Sequence, residues 1–300
     1  MGQCKPLNGK VKSVQRTSGA IEAELDFSYD AGGNRITKTV KNGSQPSDWV
    51  RTYYVRDGQG NIMATYTSSM DDNVTHSGNK VIRFTLNGQH LYGSSRLGLR
   101  KADKELYYEE IAGILGSDIW NHQSSLTTWS PPVAAPVNKG AQIRGENRYE
   151  ISDHLGNVRS VITDRKLPST GKVIYSPDVV HAQDYYPFGM LMPGRQYSNS
   201  AFAGKYRFAF QNQEGDNEWL GEGNAYAYKY RVIDSRTGRF FSVDPLAPKY
   251  PHNSPYAFSE NRVIDGFELE GLEYGGFNWL WNQGLSQDLA YGHSLDFWAN

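Results

Sequence analysis

Four aspartates in the 300-residue chain share one setting: Asp30-x-x-Gly33-Asn34, Asp57-x-x-Gly60-Asn61, Asp153-x-x-Gly156-Asn157 and, one residue longer, Asp234 ahead of Gly238-Arg239. A lone carboxylate before Gly is turn chemistry, because it accepts backbone N–H groups two residues on and closes an Asx-turn. Gly then takes the left-handed conformation that a short hairpin demands. Other reactive types form no constellation. His76, His90, His122, His154, His181, His252 and His293 are scattered, with no i, i+4 pair and no neighbouring Cys or Glu at ligand spacing, so no metal or cofactor is expected. Gly58-Gln59-Gly60 follows a strand without opening a helix, which makes it a hairpin tip and not a phosphate cradle. The aromatic runs Tyr185–Phe188 and Tyr226–Tyr230 suit either sugar stacking or cross-strand packing.

Each Asp–Gly turn is flanked by extended, aromatic-rich runs: 27–40, 53–66, 149–164 and 230–243. Alternation in Arg35-Ile36-Thr37-Lys38-Thr39-Val40 and in Asn157-Val158-Arg159-Ser160-Val161-Ile162 gives each hairpin one buried face. A single hairpin cannot bury that face alone, so neighbours must add into one sheet. The 20 Tyr, 12 Phe and 31 Gly agree with a sheet cut by frequent turns. Residues 68–80 read as a long hairpin loop, Leu106–Leu115 as a helical patch, and the stretch after it, near 115–145, as a loop insert containing Ser130–Pro136.

Charge excludes some classes. With 31 Lys+Arg against 32 Asp+Glu, the net charge of -1 argues against a nucleic-acid groove or a polybasic membrane face. No stretch approaches 18 apolar residues, so no membrane span is expected. Cys4 is the sole cysteine, which rules out an intrachain disulfide. Residues 1–20 lack an apolar signal region, and Met1 reads as an arbitrary start inside a longer gene.

The hairpins resemble the YD repeats of RHS proteins, centred on Tyr-Asp-x-x-Gly-Asn/Arg; Tyr29-Asp30 through Asn34-Arg35 carries one extra Gly. Leu91–Gly98 and Asp184–Met190 are similar to segments of Bacteroidetes-type members. The most specific stretch begins Tyr206-Arg207-Phe208-Ala209-Phe210-Gln211-Asn212-Gln213-Glu214 and passes through Tyr226, Tyr228 and Tyr230-Arg231 to Ser242-Val243-Asp244-Pro245-Leu246. It ends in Pro255-Tyr256 and Glu268-Leu269-Glu270-Gly271-Leu272, and resembles the RHS repeat-associated core over its whole length.

The resemblance implies an all-β fold with little helix: an elongated, curved antiparallel sheet of YD-type hairpins, part of a polymorphic-toxin or toxin-complex C-like shell, with a C-terminal plug. It implies a repeat region over 1–205, the core at 206–272, and the truncated start of a variable toxin region at 273–300. The implied partners are the chain's own C-terminal toxin segment and upstream repeats, with a delivery or immunity protein beyond them, and the implied destination is secretion or delivery to neighbouring cells. The implied role is a structural shell that encloses an effector and releases it by intramolecular aspartyl proteolysis between Leu272 and Glu273. The alternative is a carbohydrate- or partner-binding module without catalysis.

Such a cut needs two carboxylates sharing a proton. The resemblance points to Asp244, for which a turn-forming role and a catalytic one stand side by side. Asp234 is a second carboxylate that hairpin pairing could bring close, and Arg231 or Arg239 could hold a carboxylate or the scissile carbonyl with its planar fork. The chain departs from the family's Asp-Pro-x-Gly-Leu ending, with Glu268 in place of Asp and Leu269 in place of Pro. Glu260 and Asp265 are further stand-ins for the second acid.

Overall fold

The computed structural model describes residues 3–7, 10–16, 23–42, 49–71, 80–93, 95–111, 144–168, 175–202 and 206–276. Twelve strands form one antiparallel sheet in strict chain order, each hydrogen-bonded to the next: β1 (Gln3–Leu7), β2 (Lys10–Arg16), β3 (Ala23–Tyr29), β4 (Arg35–Lys41), β5 (Trp49–Arg56), β6 (Ile62–Asp71), β7 (Lys80–Tyr92), β8 (Arg96–Ile111), β9 (Asn147–Ser152), β10 (Val158–Pro168), β11 (Tyr175–Tyr185) and β12 (Leu191–Ser198). A four-stranded sheet follows, β13 (Glu214–Gly215) to β16 (Arg239–Phe240) by way of β14 (Ala225–Ala227) and β15 (Val232–Asp234), then a final hairpin of β17 (Gly266–Leu269) and β18 (Glu273–Gly276). Among the described residues the α-helix is one four-residue turn, α1 (Asn217–Leu220). The expected all-β antiparallel architecture is the one observed.

The Asp–Gly turns are built as the spacing predicts, with one addition. At Asp30 one carboxylate oxygen accepts the Asn34 backbone N–H at 2.7 Å and the other accepts its side-chain amide at 3.0 Å. Asp57 with Asn61 and Asp153 with Asn157 repeat this pair of bonds. The residue four on, not only the one two on, therefore fixes the turn, which explains why Asn closes three of the motifs. Gly33 sits at φ +79° in this turn, the left-handed region closed to most side chains. Tyr186–Met190 forms a fifth turn of this type, with Gly189 donating to Tyr186, although it has no Asp.

Two sequence readings are corrected. Leu106–Ile111 is strand, not helix, because β7 pairs with it from Lys80↔Ile111 through Phe84↔Tyr107; such a long-range ladder overrides local preference. The rest of that patch, 112–115, and most of the insert lie outside the described residues. Residues 68–71 and 80 of the expected loop belong to β6 and β7, so the hairpin is longer than its Ser/Asp/Asn composition suggested.

The sheet curves because both of its ends pack on the same C-terminal segment. Val11, Val14, Leu25 and Phe27 of β2–β3 cluster with Trp219, Ala225 and Val232. At the other end, Tyr185 and Leu191 join Phe210, Tyr226, Tyr228, Ile233, Phe240 and Phe258, while Val158, Val161 and Val180 close over Tyr206 and Phe208. Tyr226 and Tyr228 are thus core residues, not a sugar platform. Between these clusters the contact is ionic: Arg35 grips Asp216 with two bonds of 2.9 Å, Lys38 reaches it at 3.2 Å, and Tyr54 donates to Glu214 at 2.8 Å.

Among the described residues the sheet does not close, and β1 and β12 stand at its edges. Pro6 and Pro193 remove one donor from each, a partial protection. We expect concentration-dependent self-association of the isolated chain in sedimentation velocity; a clean monomer at high concentration would count against edge pairing.

Candidate functional site

The last third of the chain converges on Arg231, whose side chain is 2 % exposed and stacks on Phe240 at 3.8 Å. Its position follows from β14–β15, where it stands at the start of the second strand with Tyr228 N–H donating to its carbonyl at 2.9 Å. The guanidinium is used on every side. Nη2 meets Asp244 Oδ2 at 2.8 Å and lies 3.6 Å from Glu268 Oε1, Nη1 donates to the Pro255 carbonyl at 3.3 Å, and Nε donates to the Gly271 carbonyl.

Asp244 takes the turn-forming role and also faces Arg231. Oδ1 caps the turn that follows it, accepting the Leu246 N–H at 2.8 Å, while Oδ2 faces Arg231. Glu268 comes from β17. Its Oε2 accepts the Ser259 N–H at 2.6 Å, and its Oε1 is buried without a hydrogen-bond partner. Burial pushes its carboxyl up to about 8, outweighing the opposing pull of Arg231 and of the Ser259 hydrogen bond, so at neutral pH this acid keeps its proton.

Two runs of left-handed backbone hold Glu268 in place. Ser259, Glu260 and Asn261 all have positive φ, of 46°, 50° and 62°, which aims the Ser259 N–H at the carboxyl. Non-Gly residues hold such angles at a cost of about 1–3 kcal/mol each, and strain of this kind concentrates at functional sites. Gln211, at φ 45° and fully buried, accepts the Glu268 N–H at 3.0 Å and the Tyr228 hydroxyl at 2.8 Å. Neither Ser259 nor Gln211 emerged from sequence reasoning; an Asn or Ser expected in a turn shows itself there, but its long-range target does not.

The Leu272–Glu273 bond lies just past the turn of the β17–β18 hairpin. Glu270 and Gly271 both have positive φ, 52° and 81°, and Leu272 N–H donates back to Leu269 at 2.9 Å. Gly271 is required twice over, since a Cβ there would stand 2.9 Å from that of Tyr228. A cavity of about 210 Å³ opens beside this turn, with Arg231, Asp244, Tyr250, Glu268, Leu272 and Glu273 in its wall.

Of the residues singled out in the sequence, the fold brings together Arg231, Asp244, Glu268, Leu272 and Glu273. It does not bring Asp234, whose carboxylate caps its own turn on the Arg236 N–H at 3.0 Å and pairs with the Arg236 guanidinium at 2.8 Å. Arg239 pairs across the ladder with Asp234 and reaches only Ser254, at 3.4 Å. Glu260 lines the cavity, whereas Asp265 is held outside it by Arg262. Among the described residues no group of three His, Cys, Asp or Glu side chains could hold a metal ion, and no helix is long and apolar enough to cross a membrane.

No family model matches the chain. Salivary gland surface protein 1 of Aedes aegypti is 25 % identical over 267 residues, which is 89 % of this chain but 6 % of that protein. Among solved structures, the Tc holotoxin pore of Photorhabdus luminescens, carrying a substituted TccC3, aligns with a TM-score of 0.49 at 13 % identity, over 98 % of this chain and 11 % of that one. The TcdB2–TccC3–Cdc42 complex aligns with a TM-score of 0.41 at 13 % identity, over 94 % of this chain and 13 % of its own. This chain therefore spans a small part of each of these proteins.

Proposed function

We propose that this chain is a segment of a toxin-type β shell whose C-terminal core plugs the sheet and cuts its own backbone after Leu272. The sequence resemblance to the RHS core supports the shell reading, as does the seating of 206–276 against both ends of the curved sheet. The observation that carries the cutting reaction is the convergence on one guanidinium of Asp244, Glu268 and the Gly271 carbonyl, one residue before the bond in question.

The chemistry gives the two acids opposite roles, one taking a proton and the other giving one. Asp244 takes a proton from a water in the cavity as its oxygen adds to the Leu272 carbonyl carbon. Glu268 gives its proton to the carbonyl oxygen, from the Oε1 that has no other partner. Collapse then breaks the C–N bond: the proton on Asp244 passes to the Glu273 nitrogen, which leaves as the amine with the bond's electron pair, and one hydroxyl of the diol returns its proton to Glu268 as the Leu272 carboxyl forms. Arg231 pairs with Asp244 at 2.8 Å and fixes the neighbouring Gly271 carbonyl. The general reading is that residues 273 onward are the cargo's leading end, that upstream repeats and a delivery component complete the assembly, and that the whole is exported.

Full-length chain with a C-terminal tag tests this by intact mass. The wild-type protein should lose residues 273–300 with the tag, and Asp244→Asn should keep them at a rate reduced by about 10³-fold or more, the loss of a general base adding to that of its charge. An intact wild-type mass after prolonged incubation at pH 5–7 sinks the proteolytic reading.

A further inference from the structure

The residue that follows the bond in question is itself gripped. Tyr250 hydroxyl donates to Glu273 Oε1 at 2.5 Å, and Lys249 Nζ meets the same oxygen at 3.3 Å. The Glu273 side chain is only 13 % exposed although it stands at the start of an edge strand. Both gripping residues sit on the coil of turns that begins at Asp244, in which Ala247 N–H bonds Asp244, Lys249 bonds Leu246 and Tyr250 bonds Ala247. One short segment therefore presents the acid that faces Arg231 and the clamp that faces Glu273, across the same 210 Å³ cavity.

We propose that Lys249 and Tyr250 are specificity-determining residues that read an acidic side chain immediately after the cut bond, at Glu273. The proposal rests on the proteolytic reading above and adds to it a rule for which sequences are cut. The physical reason is positional. β18 leaves the hairpin as Glu273-Tyr274-Gly275-Gly276; Tyr274 is anchored away from the clamp, on the Asp265 carbonyl at 3.0 Å, and the two glycines offer no side chain, so the carboxylate of Glu273 is the handle nearest to the bond that Lys249 and Tyr250 can hold. Hydroxyl and ammonium donors on one carboxylate oxygen fix both the rotamer and the strand's depth in the cavity. A neutral or basic residue at 273 forfeits this, and a basic one faces Lys249 with like charge.

The test follows self-cleavage of the full chain by intact mass over time, at pH 6. E273K is expected to slow the first-order rate by about tenfold or more, the scale on which misplacing a reacting bond acts. K249E combined with E273K reverses both charges and is expected to recover most of that rate, and Y250F alone to give an intermediate loss. Far-UV circular dichroism of all three should match the wild type, and rates are compared well below each variant's melting midpoint, because Glu273 is only 13 % exposed although Lys249 is 58 % exposed. E273K cutting at the wild-type rate overturns the proposal, as does a charge-reversed double variant no faster than E273K. A wild-type chain that never cuts is a different result: it removes the proteolytic reading and this rule with it.

Discussion

Replacing Asp216 by Ala is expected to lower the unfolding free energy by about 3–5 kcal/mol, the usual cost of stripping one partner from a buried ionic group. Asp216 is 0 % exposed and is the shared acceptor of Arg35 and Lys38, which are 8 % and 4 % exposed. Without it Arg35 stays buried with Glu214 as a partial acceptor at 3.8 Å, while Lys38 keeps only the partly exposed Glu218 at 2.7 Å. Urea denaturation of wild type and D216A, compared at equal slope, measures the loss. A change below about 1 kcal/mol would mean that water enters and solvates the cations, a surface-like outcome. The same group predicts an acid limb. Arg35 and Lys38 hold its carboxyl down to about 2 against 3.8, despite the opposing effect of burial. The folded state thus binds this proton more weakly than the unfolded chain does. Its stabilisation is present above about pH 4 and is lost as pH falls toward 2. D216A should lose that part of the acid transition.

Glu268→Gln is expected to abolish self-cleavage while making the protein more stable at alkaline pH. The Glu268 carboxyl is raised from 4.5 to about 8 by burial, so the folded chain holds a proton that the unfolded chain releases. Stability should therefore fall as pH rises from 4.5 through 8 and level off above, by an amount on the order of 5 kcal/mol if the full shift is realised. Gln removes the titration and keeps the acceptor for Ser259. Wild-type and E268Q denaturation midpoints should converge at pH 5 and separate at pH 9, with the variant higher. Cleavage by the wild type should fade over the same alkaline range, since a deprotonated Glu268 has no proton to give. Superimposable stability profiles from pH 5 to pH 9 would remove Glu268 as the proton-holding acid.

The sequence made some of this readable because it is local. Asp30, Asp57 and Asp153 meet their Asn partners four residues on, so spacing alone exposes the turn. Asp234 carries the Asp–Gly turn signature and Asp244 stands before Pro245 with no Gly after it, yet both cap the N–H two residues on; the fold alone shows where the rest of each carboxylate goes, one back on Arg236 and the other to Arg231. The lock at Asp216 joins residues 181 positions apart in the chain, and nothing near Arg35 announces it. Gln211 and Ser259 were invisible for the same reason. Conversely, Leu106–Ile111 looked helical on its own and became strand because β7 lay beside it. Glu268 was visible as a departure from an expected Asp, but its burial, and with it its retained proton, belongs to the hairpin that carries it.

That hairpin has a kinetic consequence. Gly266↔Gly276, Phe267↔Gly275, Glu268↔Tyr274 and Leu269↔Glu273 are paired across the bond, so breaking the backbone after Leu272 removes no rung of the ladder. What changes is molecularity. In the unbroken chain, a frayed β18 is tethered and returns at an effective concentration in the millimolar range. Once the tether is severed, the same fraying becomes dissociation into two molecules, and dilution or a pull on the far end makes it one-way. The cut would thus set no cargo free by itself; it would convert a reversible opening into an exit timed by those four backbone pairings together with the side-chain grips on Glu273 and Tyr274.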